Sequence, residues 1–350
     1  MKDFQPYFWT TLVGSFPHTS PDSLYKQIIE AADIPIWPQL PKRDFRESMY
    51  VQYSRSLPRV VVNAADEKIY VDTEGDLSQD LESFYEKYLA DDADTFGFSP
   101  KYAEGFFATL ETVKSYPGEW IKGQVTGPIS LGLTVTDQNL RSILYHELLA
   151  DIIVKNAAMN ARWQIKQLSA VRPNTIIFVD EPYMASYGSA FISLSREQVI
   201  TMLDEVFDAI HQEGGLAGVH CCANTDWSVL LDTCVDILNL DAYGYLDNLA
   251  LYPQKLKAFL DRGGVLAWGI IPSSEHVYEN TPDDLSKKLI KGLKLISQKA
   301  QAKETEITLD LLKNRSLITT SCGLGPTNEA IVNRVFEILP ELKTRLREQL

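Results

Sequence analysis

Three side chains of metal-binding type follow two predicted strands of this sequence. His220 ends the apolar run GLAGVH (215–220), Cys222 lies two residues later, and Cys322 follows the run SLITTS (316–321). On an extended backbone residues i and i+2 point to the same side, so His220 and Cys222 can bind one ion. Zinc prefers thiolate and imidazole ligands, and three protein ligands leave a position for a substrate, which is typical of a catalytic site. Buried thiols beside a core histidine are the alternative, since a His-x-Cys pattern alone is not specific.

The other cysteines and histidines show no comparable pattern. Cys221 is expected to point away from the His220 side of its strand, and Cys234, in the predicted helix WSVLLDTCV, is expected in the core. Asp241 ends another predicted strand and is a candidate fourth ligand, while a ligand's hydrogen-bond partner or a solvated carboxylate fits equally well. We interpret the isolated histidines as surface or core residues: His18, His146, His211 and His276.

Short apolar runs alternate with amphipathic stretches along the chain, which is the pattern of βαβ units with a parallel sheet. The predicted strands are TTLVGS (10–15), IPIW (34–37), WIKGQV (120–125), TIIFVD (175–180), GLAGVH (215–220), VDILNLD (235–241), GVLAWGI (264–270) and SLITTS (316–321). Their number predicts an α/β fold, a (β/α)₈ TIM barrel forming a single catalytic domain over residues 1–350. The alternating segment RVVVNAADEKIYVD (59–72) predicts a β-hairpin insertion, at about 58–75, between strands 2 and 3. A doubly wound open sheet fits the same alternation, but the sequence has no Gly-rich phosphate loop.

The predicted helices lie between these strands. Ser20 and Pro21 predict the N-cap and the first helical residue of a helix over 21–32. Further amphipathic helices are predicted over 141–170, 195–213, 282–300 and 328–350. In a barrel the carboxyl ends of the strands meet on one face, where active sites lie. We therefore expect these strand-end residues to converge there: Gly14, Ser15, Asp180, His220, Asp241 and Cys322.

Composition narrows the functional classes. The chain has 350 residues, of which 45% are hydrophobic and 23% charged, as in soluble globular proteins. Its net charge of −14 makes non-specific binding to nucleic acid or to an anionic membrane unfavourable. The N-terminus has no basic-then-apolar signal pattern, and no apolar run is long enough to span a membrane. We therefore expect a cytoplasmic protein with reduced cysteines.

Several motifs resemble one enzyme family, in the same order along nearly the whole chain. They are TTLVGSFPHT, RDFRESM, KGQVTGPISLG, IIFVDEP, VHCCAN and TSCGLGPTNEA. They resemble the catalytic half of cobalamin-independent methionine synthase, the related methylcobamide:thiol methyltransferases and, more distantly, uroporphyrinogen decarboxylase. The resemblance implies a (β/α)₈ barrel that uses zinc (Zn²⁺) to bind the thiolate of homocysteine and methylate it to methionine.

The resemblance also implies roles for single residues at the metal. His220, Cys222 and Cys322 match the zinc ligands of the family. The family's remaining ligand is a glutamate, and the matching position here is Asp241, whose side chain is one methylene shorter.

Four further residues match positions that bind the acceptor. Gly14 and Ser15 match contacts to the amino-acid end of homocysteine, and Asp180 matches a carboxylate that holds its ammonium group. Gln39 stands where the family has a second glutamate for that group, so it is a neutral substitute.

Two departures from the family concern the methyl donor. Full-length members carry an additional N-terminal barrel, and they have an Asp-x-His element after the seventh strand, where this sequence reads WGIIPSSEH. Both departures argue against methyl-folate, so we expect methylcobalamin or another methyl-corrinoid as donor, presented by a corrinoid protein.

Other functions stay open at this point. Methyl-folate is an alternative donor, and coenzyme M is an alternative acceptor, although its sulfonate would favour arginine over Asp180. A decarboxylase of the uroporphyrinogen type would need arginines and would leave the His-x-Cys pattern unexplained. A non-catalytic zinc-binding barrel that delivers metal or docks a corrinoid protein would not need Gly14, Ser15 or Asp180.

Overall fold

Short strands alternate with helices in the computed structural model, which describes residues 4–21, 23–190 and 192–350. The strands are β1 Trp9–Thr10, β2 Val60–Asn63, β3 Lys68–Val71, β4 Trp120–Thr126, β5 Thr136–Asp137, β6 Asn174–Asp180, β7 Leu216–Cys221, β8 Ile237–Leu240, β9 Val265–Ile271 and β10 Ser316–Thr320. The α-helices are α1 Leu24–Ala31, α2 Met49–Gln52, α3 Ser78–Leu89, α4 Glu104–Thr112, α5 Pro128–Thr134, α6 Glu147–Ser169, α7 Arg196–Gln212, α8 Trp227–Asp232, α9 Ala242–Leu249, α10 Pro253–Asp261, α11 Pro282–Gln301, α12 Leu309–Asn314 and α13 Glu329–Gln349. Short 3₁₀ turns lie at Phe45–Glu47, Ala93–Phe96, Val113–Ser115, Ile143–Tyr145, Pro182–Ser186 and Glu275–Tyr278.

The main sheet is a curled, parallel, seven-stranded sheet of the described residues, in the order β1-β10-β9-β8-β7-β6-β4. The predicted closed barrel of eight regular strands is therefore corrected, because the segment 34–39, which contains the predicted second strand, forms only isolated bridges, to Ser15 beyond β1 and to Lys122 on β4. The Ile34 amide donates to the Thr10 carbonyl, and the Lys122 amide donates to the Pro35 carbonyl. Proline has no amide hydrogen to donate, so Pro35 interrupts a regular ladder in this segment.

Most other boundaries agree with the sequence prediction to within about two residues, but three elements are shorter than predicted, one of them the helix predicted over 141–170, which begins at Glu147. The first predicted strand (10–15) is reduced to the two residues of β1. The first helix begins at Leu24 instead of Pro21, so Ser20 is not its N-cap. In contrast, α7 begins as predicted, with Ser195 and Gln198 forming a reciprocal capping box.

The segment predicted as a hairpin forms one in the structure. Strands β2 and β3 pair antiparallel, with Val60 opposite Val71. The short strand β5 extends this small sheet by pairing parallel with β3.

Alternation along the parallel strands separates two packed layers. Ile176 and Phe178 on β6 pack with strand residues such as Ile237 in the interior of the curled sheet. Ile177 and Val179, at the alternate positions, belong to the layer between the sheet and the helices. Polar residues at the same alternate positions as Ile176 and Phe178 therefore face the inside of the curled sheet. They are Lys122, Gln124, Asp180, His220 and Asn239.

No helix in the described ranges is both long enough and apolar enough to cross a membrane.

Candidate active site

Two strand ends bring the three predicted metal ligands together. His220 lies near the end of β7 and Cys322 two residues beyond β10. One nitrogen of His220 and the sulfurs of Cys222 and Cys322 all lie within 4.8 Å of one another. His220 is buried and both cysteines are partly exposed, so the group is positioned at the carboxyl edge of the sheet with access from outside.

Cys221 points away from this group, as the strand alternation predicts. Its side chain is buried, and its thiol donates to the Ala223 carbonyl oxygen at 3.4 Å. Burial raises the pKa of the Cys221 thiol to about 12, so this sulfur is poorly suited to act as a thiolate ligand.

The orientation of the His220 ring is set by a neighbouring strand. Its Nδ1 lies 2.6 Å from Oδ1 of Asn239. The Asn239 amide nitrogen donates to the Ala267 carbonyl and to Oγ1 of Thr319, both at 2.8 Å, so Oδ1 is left to accept. His220 Nδ1 must then carry a proton, so in the neutral imidazole the lone pair lies on Nε2. That nitrogen is buried and has no hydrogen-bond partner among the described residues, so the site fits a metal ion.

The two thiols of the group differ in acidity because they are neighbours. The Cys322 thiol and His220 lower the pKa of Cys222 to about 4. Conversely, Cys222 and burial raise the pKa of Cys322 far above its usual range. Burial opposes protonation of His220, but Cys222 and Asp180 outweigh it and raise the pKa of the imidazole. Cys222 is therefore the thiolate of this group before a metal binds, and a divalent cation would also stabilise the thiolate form of Cys322.

Asp180 provides a partly buried carboxylate next to the group. Burial raises the pKa of Asp180 to about 6, although the charges of His220 and Lys122 oppose this shift. Its Oδ1 atom is buried and lacks a hydrogen-bond partner in the part of the chain that the structure describes. A cationic ligand group would satisfy this oxygen.

Lys122 lies on β4 in the interior of the curled sheet, farther from the carboxyl edge than these residues. Its Nζ donates to the Val13 carbonyl at 2.6 Å and lies 4.3 Å from the centre of the Phe178 ring. Burial lowers the pKa of Lys122 to about 7, against the opposing charge of Asp180. Lys122 thus fixes the backbone immediately before Gly14.

Ser15 is tied to the turn that follows Cys322. Its Oγ accepts from the Gly325 amide at 3.2 Å, and its carbonyl accepts from the Leu324 amide at 2.9 Å. A Cβ on Gly323 would lie 2.3 Å from Ser15 Oγ, so a larger residue there would displace this hydroxyl. The structure therefore brings Ser15 to the Cys322 side of the site.

Gly14 and Gln39 lie beside Ser15. A Cβ on Gly14 would lie 3.0 Å from the side-chain amide carbon of Gln124. Gln39 is buried, exchanges backbone hydrogen bonds with Gly14 and Phe16, and donates its side-chain amide to Oε1 of Gln52 at 2.7 Å. Its side-chain nitrogen is therefore already engaged.

Asp241 is not part of the metal-binding group formed by the described residues. It is the N-cap of α9, and its Oδ1 accepts from the Gly244 amide at 2.8 Å. The geometry thus gives Asp241 a capping role, and its predicted role as a fourth ligand receives no support.

Two further polar residues beside the group are not among those predicted from the sequence. Asn239 orients His220, as described above, and Gln124 places a buried Oε1 beside Gly14 that has no partner among the residues described. A signal for both exists in the sequence, because each is a polar residue inside a predicted strand, at an alternate position that faces the interior.

Cys234 and His211 both have specific polar partners. Cys234, predicted in a helix and in the core, lies beyond the end of α8 and is partly exposed, although it packs against the core. His211 is not isolated, because its Nε2 lies 2.7 Å from Oδ2 of Asp236.

No protein-family model matches this chain, and no curated protein matches it. Among solved structures, it is similar to a B12-independent methionine synthase from a Shewanella species in complex with selenomethionine. The two chains are 19% identical, the matched region covers 69% of this chain and 67% of the other, and the TM-score is 0.46. A similarity at this level does not establish fold or function, which rest on the residues described above.

Proposed function

We propose that this chain is a zinc-dependent methyltransferase that transfers a methyl group to the thiol of homocysteine. The observation that carries the proposal is the unpartnered Nε2 of His220, held by Asn239 within 4.8 Å of two cysteine sulfurs. A core histidine would be expected to pair both ring nitrogens when it is buried.

His220, Cys222 and Cys322 would hold the zinc. When bound, zinc lowers the pKa of a coordinated thiol, so that the acceptor sulfur is a nucleophilic thiolate at neutral pH. Three protein ligands leave one position of a tetrahedral shell for that sulfur. The chain itself contributes the orientation of the acceptor and its removal from bulk water.

The amino-acid end of the acceptor has suitable partners beside the metal-binding group. Asp180 Oδ1 and Gln124 Oε1 are buried acceptors without partners among the described residues, and both suit an ammonium group. Ser15 lies on the adjoining turn. These hydrogen-bond acceptors favour homocysteine, which has an ammonium group, over a thiol with a sulfonate, because a sulfonate needs hydrogen-bond donors.

The proposed donor is a methyl-corrinoid presented by a corrinoid protein. Methyl-folate needs an acid for its amine leaving group, whereas a cobalt-bound methyl group leaves without protonation. The histidine in the loop after β9, His276, is exposed and pairs with Glu279 at 2.8 Å, instead of with an aspartate facing the site. This loop therefore lacks the Asp-x-His element of the folate-dependent family, which favours the corrinoid.

A donor comparison tests the proposal. Zinc-loaded protein is incubated with homocysteine and with methylcobalamin, a methylated corrinoid protein or methyl-folate at matched concentrations, and methionine is measured. We expect turnover with the corrinoid donors, fastest with the protein-bound form. Turnover with methyl-folate but with neither corrinoid donor would overturn the donor assignment. Methionine formation that survives complete removal of zinc would overturn the proposed function.

A further inference from the structure

A second cluster of metal-binding side chains lies at the opposite end of the parallel strands. Asp208 and His211 are three residues apart on α7, so they share one face of the helix. Cys234 lies in the connection between α8 and β8 and reaches the same point. This connection precedes β8, whereas Cys222 follows β7, so the two clusters are separated by roughly 15–20 Å, the length of one strand.

From this cluster we infer a second metal site, which binds a divalent transition ion of the zinc type through Asp208, His211 and Cys234. Cys234 Sγ lies 3.5 Å from Oδ1 of Asp208, and His211 Nδ1 lies 4.0 Å from the same oxygen. All three ligand atoms lie within 4.8 Å of one another. Ligand atoms around a tetrahedral zinc are roughly 3.3–3.8 Å apart, since the bonds are about 2.0–2.3 Å long. Small side-chain rotations would therefore complete the site.

His211 is already oriented as a metal ligand would be. Its Nε2 lies 2.7 Å from Oδ2 of Asp236. That oxygen also accepts from the Ala217 amide at 2.8 Å, and Asp236 is buried, so β7 holds the carboxylate in place. A carboxylate that accepts from Nε2 leaves the lone pair on Nδ1, which is the nitrogen that faces Asp208. A carboxylate partner on the second ring nitrogen is the usual environment of a metal-bound histidine.

The backbone of Cys234 is fixed against the same helix. Its amide donates to Oδ1 of Asp204 at 2.7 Å. Asp204 and Asp208 therefore place two carboxylates beside the sulfur, which favours a cation over an anion or a neutral ligand.

The donor set selects the ion. Thiolate and imidazole ligands suit zinc and similar transition ions, whereas calcium and magnesium prefer oxygen ligands alone. The His211 side chain is 29% exposed, so an ion can enter and a water can take a fourth position. A bound ion would connect α7 to the segment before β8, far from the proposed catalytic group.

Cobalt(II) binding tests this site independently of the first one. In a full-length chain that carries Cys222→Ser and Cys322→Ser, we expect one Co²⁺ per chain, with the near-ultraviolet charge-transfer absorption of a cobalt–thiolate bond. Adding Cys234→Ser should remove that absorption, and adding His211→Ala should weaken Co²⁺ binding at least tenfold. Adding Cys221→Ser instead, as the matched control, should change neither the absorption nor the binding of Co²⁺.

A second measurement does not depend on the double variant. In the otherwise unmodified chain, Cys234→Ser should reduce bound zinc by one ion per chain without lowering methyl transfer. Asp208→Asn, at an exposed position, should weaken the same ion. Absence of the charge-transfer absorption before Cys234 is changed, or zinc content that is unaffected by Cys234→Ser, would overturn the second site and leave the proposed function standing.

Discussion

His220 on β7 and Asn239 on β8 are direct partners in the parallel ladder, and their side chains meet with Nδ1 and Oδ1 2.6 Å apart. The Asn239 amide is itself held by the neighbouring strands β9 and β10, through Ala267 and Thr319. The protonation and direction of the His220 ring are therefore determined by the sheet and do not depend on a flexible loop.

Removing the Asn239 side chain should weaken the metal site. Asn239→Ala leaves Nδ1 of His220 without its acceptor, so we expect zinc affinity to fall by about 10- to 100-fold. Competition with a chromophoric chelator measures this affinity. Asn156→Ala, which removes another buried asparagine that donates to the Tyr53 carbonyl, is the control and should leave zinc affinity unchanged. Equal affinities in the Asn239 variant and the wild type would contradict the role assigned to Asn239.

The two partly exposed cysteines of the site should both be needed for metal and activity. We expect Cys222→Ser and Cys322→Ser each to abolish methionine formation and most zinc binding at this site, while Cys221→Ser retains both. Metal analysis is best done with Cys234→Ser also present, so that one site alone is counted. Circular dichroism should show an intact fold, because the buried core does not depend on this ion. Full zinc occupancy in the Cys222/Cys322 double variant would rule out the ligand assignment.

Much of the fold is predictable from the sequence, and the exceptions have physical causes. Central strands such as β6 and β9 are runs of apolar and β-branched residues, so their positions follow from pattern alone. The strand predicted within the segment 34–39 is not a regular strand in the structure. Pro35 offers a carbonyl but no amide hydrogen, so a regular ladder cannot continue through it.

Asp180 should matter for the amino group of the acceptor. Asp180→Asn removes the charge that would pair with a buried ammonium group, a contact worth about 2–4 kcal/mol, so the KM for homocysteine should rise by roughly 30- to 1000-fold. Thiols without an amino group should be methylated as before. Asp137→Asn, at another buried aspartate that accepts backbone amides at 2.8 and 3.0 Å, should not change this KM. An equal loss with both kinds of thiol would show that Asp180 is structural.

Stability should fall with rising pH because of Glu47. The side chain of Glu47 is fully buried, with Oε1 3.1 Å from Nε of Arg43. Burial raises the pKa of Glu47 from 4.5 to about 7, although Arg43 opposes the shift. The folded state therefore holds this proton more tightly than the unfolded state does. The stability that the protonated carboxyl contributes is complete below pH 4.5 and is lost as the pH rises through about 7.

Denaturant unfolding of the zinc-free protein checks this pH dependence. Between pH 4.5 and 7 the wild type should lose at most about 3 kcal/mol that Glu47→Gln does not lose. Glu111→Gln removes an exposed carboxylate that pairs with Lys114 at 2.8 Å, far from Glu47, and should keep the dependence of the wild type. Parallel pH profiles for the wild type and Glu47→Gln would refute this explanation.

Prediction of the site from sequence had a clear limit. The sequence predicts His220, Cys222 and Cys322 together because they lie at or just beyond the carboxyl ends of parallel strands, and such ends share one edge. The role of Asn239 depends on which strands are neighbours, and the contact of His211 with Asp236 depends on how α7 packs on β7. Neither follows from spacing along the chain.

The central claim is that the acceptor sulfur binds the zinc held by His220, Cys222 and Cys322. X-ray absorption spectroscopy at the zinc edge measures it most directly, on protein with Cys234→Ser loaded with one zinc per chain. Without an acceptor we expect two sulfur neighbours; with homocysteine we expect a third, at about 2.3 Å. A sulfur count that stays at two when homocysteine is saturating would contradict the account.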